Sequence, residues 1–79
     1  MEIIVLGTGC AKCKRLEQVV RDVVAEMGVE ASIKKEEDIM NIMSYGIMHT
    51  PGLVINGQVV SKGRIPTSKE LMELINTNK

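Results

Sequence analysis

Cys10 and Cys13 are the only thiols of this chain, and they stand three residues apart in the stretch GTGCAKCKR, residues 7–15. Two thiols so placed can form and break a disulfide, offer soft ligands to a metal, or serve as small apolar side chains. If a helix begins just after Gly9, Cys10 takes its N-cap and Cys13 its third position. One turn of helix brings such residues to about 5–6 Å, within disulfide range. The loop so closed is tiny, and the chain-entropy relation assigns it on the order of 2 kcal/mol, a weak staple and a workable switch.

The surroundings favour ionisation of the outer thiol. A thiolate at the N-cap accepts backbone N–H groups that lack helical partners and meets the positive end of the helix dipole. Lys12, Lys14 and Arg15 add positive charge, the setting in which a cysteine becomes a nucleophile. Cys13, one turn in on the apolar face, is expected to be more buried and less acidic. The reading is that Cys10 attacks a disulfide and Cys13 resolves the mixed disulfide, while Gly7 and Gly9 leave room for another backbone near Cys10. A closed zinc site needs four ligands, and two cysteines with one histidine fall short without a second chain. Carriage of Cu(I) or Zn between two thiolates is the competing chemistry.

The elements that must position these thiols follow from the pattern of apolar residues. Ile3-Ile4-Val5-Leu6 is a short continuous run, expected as a strand covered on both faces. Cys13, Leu16, Val19, Val20, Val23 and Met27 recur at helical spacing, and Gly28 stops that helix. Val29, Ala31 and Ile33 alternate with polar residues, predicting a second strand. Lys34-Lys35-Glu36-Glu37-Asp38 reads as a solvated turn whose acids suit a helix start. A second helix then carries Ile39, Met40, Ile42 and Met43, closed by Tyr45-Gly46. The Met40, Met43 and Met48 spacing is expected to serve packing rather than copper ligation. Pro51 belongs at the start of a third strand, Leu53–Ile55, because it cannot donate to a ladder. Asn56-Gly57 predicts a hairpin to a fourth strand, Gln58–Ser61. Thr67 and Glu70 form a capping box for a last helix with Leu71, Leu74 and Ile75 inside.

In this order the motifs resemble the thioredoxin/glutaredoxin superfamily, and above all its very short redox-active disulfide proteins. The likeness rests on VLGTGCAKC, then YGIMHTPGLVINGQVV, then the capped last helix. It implies an α/β, thioredoxin-like fold, β-α-β-α-β-β-α, with a four-stranded mixed sheet and three helices in one domain spanning residues 1–79. It implies thiol–disulfide exchange with client proteins through Cys10 and Cys13, with reduction by an upstream reductase, for which a flavin-dependent enzyme is one candidate. It also implies a cis bond before Pro51, with Thr50 and Pro51 as the opposing wall of the substrate groove. Gly9, Lys12 and Tyr45 are supporting residues, Tyr45 through the end of the second helix. No bound cofactor or metal is required. The strands hold no counterpart of the buried acid that accepts a proton in typical thioredoxins. The same GTGCAKCKRLEQVV stretch also looks like the metal loop of small ferredoxin-like heavy-metal carriers. Those chains continue with a strand hairpin and end in a strand, and this one is expected to end in a helix.

Composition sets outer limits. Ten basic and ten acidic residues cancel, and Tyr45 is the lone aromatic. Neither the positive field nor the stacking rings of a nucleic-acid binder are present. The start MEIIVLGTG has an early acid and too short an apolar run for a signal peptide, and no stretch approaches the roughly 18 residues of a membrane span. The expected compartment is the cytoplasm, where close thiols are more often redox or metal groups than staples.

Overall fold

A computed structural model of the chain describes residues 1–9 and 11–78; the expectations for Cys10 fall outside the described residues. The element order is β1 (Glu2–Leu6), α1 (Ala11–Met27), β2 (Ser32–Glu36), α2 (Ile39–Ser44), β3 (Gly52–Ile55), β4 (Gln58–Lys62) and α3 (Ser68–Thr77). The strands form one mixed sheet in the order β2-β1-β3-β4. β1 pairs in parallel with β2 and antiparallel with β3, which pairs antiparallel with β4. This is the expected α/β arrangement, and its helical last element departs from the strand-terminated order of the metal carriers.

Alternation along the central strands decides what each face meets. Ile3 and Val5 of β1, with Leu53 and Ile55 of β3, bury against Leu16, Val20 and Val23 of α1 and Leu71 and Ile75 of α3. Leu6 and Val54 point the other way and bury with Ile42 and Ile47. Both faces are thus covered, which is why β1 and β3 read as continuous apolar runs. The two-residue turn at Asn56 and Gly57 has φ of 50° and 83°, the left-handed pair that matches hairpin twist. Beyond it the ladder shifts register between Leu53 and Val54, so that Val54 faces Val59 while Leu53 faces Ser61.

Two expectations need correction. The second strand is not centred on Val29, Ala31 and Ile33 but runs from Ser32 to Glu36, with Ile33 level with Ile3 and Lys35 level with Val5. Val29 and Ala31 still pack on the main core, but as the approach to the strand. The charged run Lys34-Lys35-Glu36 is therefore ladder rather than turn. An edge strand accepts such residues because both sheet faces open to solvent there, and Lys34 and Lys35 are exposed. The expected packing role of the methionines also fails: Met40, Met43 and Met48 are 75%, 63% and 92% exposed, and Ile39 is 59% exposed. In the six-residue α2 only Ile42 turns inward.

The capping box of α3 is present as expected: Thr67 Oγ1 accepts from the Glu70 backbone N–H, and the Glu70 carboxylate accepts from that of Thr67. The carboxyl is held down at about 2, first by its hydrogen bonds from Arg64 and then by the Thr67 backbone N–H. A folded-state value below the ordinary 4.5 means stability present above that value and lost as pH falls toward 2. Glu70→Gln should therefore melt below the parent at pH 6, with the gap closing on acidification to pH 2. Thermal melts of both proteins across that range check it, and the effect should be modest because the pair is exposed to solvent.

Candidate active site

Cys13 is buried, on the face of α1 that carries Leu16 and Val20. Its sulfur lies against Gly7, the residue that follows β1. A Cβ added to Gly7 would fall 2.2 Å from Cys13 Sγ and 2.9 Å from Cys13 Cβ. The room expected here for another backbone is thus taken by the chain's own thiol. Gly9 behaves differently, with open space around its added Cβ but a φ of 84°, so glycine is required there by conformation. Gly7 N–H donates to the Glu36 carbonyl at 2.9 Å, so the β1–β2 ladder continues to the point where the sulfur rests.

β3 begins at the same end of the sheet. The register ends with Leu6 facing Gly52; Gly7 follows the one and Pro51 precedes the other in the chain. The Thr50–Pro51 bond is cis. Pro51 is buried, and its carbonyl accepts from Gly63 N–H at 2.8 Å, tying it to the segment after β4.

Two clefts open on either side of this junction, and they differ in chemistry. One, of about 220 Å³, is lined by Cys13, Lys14, Glu17, Lys35 and Glu37 together with Val5, Gly7 and Gly9. Lys35 reaches it because it shares the Val5 face of the sheet, and its ammonium lies 3.2 Å from the Glu17 carboxylate. Glu17 is only 15% exposed. Its carboxyl is pulled below the ordinary value chiefly by hydrogen bonds from Arg21, with Lys35 adding to the effect against the cost of burial. The other cleft, of about 320 Å³, is lined by Thr8, Ile39, Ile42, Met43, Ile47, Met48 and Thr50. Thr8 of the cysteine loop and Thr50 before the cis-proline both line it.

A family model described as a thioredoxin domain matches residues 1–76. The chain belongs to the thioredoxin family. It is 33% identical over 75 residues to a thioredoxin of Methanothermobacter thermautotrophicus, covering 95% of this chain and 97% of that one. To a thioredoxin of Methanocaldococcus jannaschii it is 35% identical over 71 residues, covering 90% and 81%. A solved structure of a malarial protein shares the fold at 14% identity, with a TM-score of 0.69 over 98% of this chain and 94% of that one. As a member of this thioredoxin family the protein is a thiol–disulfide oxidoreductase.

Within this thioredoxin domain, Cys13, Gly9, Thr50 and Pro51 gather at one end of the sheet. Lys12 is exposed and lines a shallow surface cleft with Ala11 and Arg15. Tyr45 caps α2 and packs, half-buried, on the cluster of Leu6, Ile42, Ile47 and Val54, lining neither of the two clefts described above. Glu17 and Lys35 escaped the sequence reading. Glu17 follows Cys13 by four residues, so the helix period alone puts the two on one face. Lys35 carried no such signal, because its position depends on the register of β2.

Proposed function

We propose that this thioredoxin-family protein exchanges a Cys10–Cys13 dithiol/disulfide with protein substrates. The Cys10 thiolate attacks one sulfur of a client disulfide, forming a mixed disulfide and releasing the other client sulfur as a thiolate. Cys13, losing its proton, attacks the Cys10 sulfur. The mixed disulfide breaks, the second client thiol leaves, and the protein is left oxidised by two electrons. Thr50 and Pro51 form the wall along which the client backbone is held. Gly9 allows the turn into α1, Lys12 adds positive charge beside Cys10, and Tyr45 supports the end of α2.

The observation that carries this reading is the seat of Cys13: a buried sulfur against Gly7, beside a cleft lined by Glu17 and Lys35. Burial shields the second thiol from outside reagents, and Glu17 and Lys35 line the cleft through which its proton would leave. The electrons pass through the thiols themselves, so no bound cofactor is needed. An upstream reductase, such as a flavin enzyme, restores the dithiol, as suits a cytoplasmic protein. No helix among the described residues is long and apolar enough to cross a membrane.

The test is a redox titration of the purified protein, followed by alkylation at mildly acidic pH. One two-electron intramolecular transition, at a potential between about −180 and −300 mV, is expected, with Cys10 alkylated ahead of Cys13. Absence of an intramolecular bond under mild oxidation would end the proposal. Faster labelling of Cys13 would reverse the two roles.

A further inference from the structure

We infer that Asn56 is a modification site: it deamidates spontaneously through Gly57, and the end of α3 is the latch that sets the rate. Of the four asparagines, Asn41, Asn56, Asn76 and Asn78, only Asn56 precedes a glycine. Glycine carries no Cβ, so its backbone nitrogen is open to the side chain before it. That nitrogen attacks Asn56 Cγ, and the new N–C bond closes a cyclic imide. The Cγ–Nδ2 bond breaks, and Nδ2 leaves as ammonia with the proton given up by Gly57. Water then adds to either imide carbonyl, leaving aspartate or isoaspartate where the amide stood. Asn56 and Gly57 are both exposed, so water has access.

Hydrogen bonds to two other elements oppose the reaction. Asn56 Oδ1 accepts from Glu2 N–H at 2.9 Å, and Asn56 Nδ2 donates to the Asn78 carbonyl at 2.7 Å. The Asn56 N–H also donates to the Glu2 carbonyl at 2.8 Å. The residue thus extends the β1–β3 ladder beyond Ile3 and Ile55 and ties it to the C-cap of α3. Ring closure needs Cγ to swing onto the Gly57 nitrogen, which strips the amide of both side-chain partners. Of the two, the Asn78 carbonyl sits on a helix end, the kind of segment that opens at least cost. It is held there by the Asn78 N–H and Nδ2, which both donate to the Leu74 carbonyl, at 3.1 and 2.8 Å. Opening of this last turn is the step that frees the amide.

Conversion also changes the fold's stability. Aspartate at this position still accepts from Glu2 N–H but has no hydrogen to give Asn78, and its charge faces that carbonyl. α3 packs Leu71 and Ile75 on Leu16, Val20 and Val23 of α1, so the lost tie weakens the docking of a helix that completes the core. The hairpin lies at the opposite end of the sheet from Gly52 and the thiols, which leaves the exchange site itself intact.

The experiment holds the full chain at mildly alkaline pH, with and without urea, and follows each asparagine by peptide mapping and mass spectrometry. In urea Asn56 should convert while Asn41 does not. In the folded protein conversion should be slower by about tenfold or more, because the rate scales with the fraction of molecules whose amide is released. Asn78→Pro removes both bonds to the Leu74 carbonyl and should speed conversion several-fold in protein that circular dichroism shows to be folded. Glu70→Gln, which loosens the other end of α3, should leave the rate unchanged. Asn56→Asp should melt lower by about 4 °C, the scale of one lost hydrogen bond in a domain of this size. An Asn56 that stays intact in urea, or equal rates with and without it, would overturn the inference. So would a parent-like rate in Asn78→Pro, an equal acceleration by Glu70→Gln, or an unchanged melting point in Asn56→Asp.

Discussion

Gly7→Ala should lower the rate of disulfide reduction by about a hundredfold, the scale reached when a reacting group is displaced by about 1 Å. The new methyl carbon would lie 2.2 Å from Cys13 Sγ, far inside contact distance. Cys13 is buried and its neighbours on α1, Leu16 and Val20, are fully buried. The sulfur can escape only if α1 lifts from β1 or the side chain leaves its rotamer. Overpacking of this kind costs about 1–3 kcal/mol, so the thermal midpoint should drop along with the rate. Gly52→Ala is the informative comparison. Its added carbon meets Ile47 Cδ1 at 2.4 Å, the free end of a side chain that can turn aside, and it touches no sulfur. It should lose stability without the same loss of exchange. A Gly7→Ala protein with the parent's rate and melting point would show that Cys13 is not confined by β1, and the account of its role would go.

Cys13→Ser should halt exchange after its first half. Without a resolving thiol the mixed disulfide at Cys10 persists, so multiple turnover should fall by on the order of a hundredfold or more while the first attack still occurs. Mass spectrometry of the variant after incubation with a disulfide peptide should find one peptide attached through Cys10. Cys10→Ser should show neither turnover nor adduct, since the buried Cys13 is poorly placed for attack from outside. An adduct on Cys13 in that variant would exchange the assigned roles. The two cysteine variants are expected to fold, because serine is smaller than cysteine and overpacks nothing, and the Gly7→Ala loss should be distinguishable from theirs because that variant keeps both thiols and accumulates no trapped adduct.

Much of this protein was legible from local signals. The helix start and stop at Gly9 and Gly28, the Asn56-Gly57 turn, and the Thr67–Glu70 box depend on residues within a few positions of one another. Backbone conformation and capping act over that range. The continuous apolar runs of β1 and β3 likewise announced strands covered on both faces. These were enough to place Cys13, Thr50 and Pro51 in a sensible order and to suggest the family.

The rest required the tertiary structure, because it turns on which distant residues share a face. Moving β2 to Ser32–Glu36 converts a charged turn into a strand and brings Lys35 within reach of Glu17 on α1; nothing local to Lys35 reports that register. Met40 and Met43 are spaced like a buried stripe, yet the short α2 turns only Ile42 inward, because spacing defines a face without saying what covers it. Gly7 reads in sequence as a loop residue, and only the docking of α1 on β1 makes it the seat of a sulfur. The chain's local chemistry thus determined its elements and its pair of thiols. The packing of those elements decided the thiol's surroundings, since exclusion of one atom by another is a property of three dimensions.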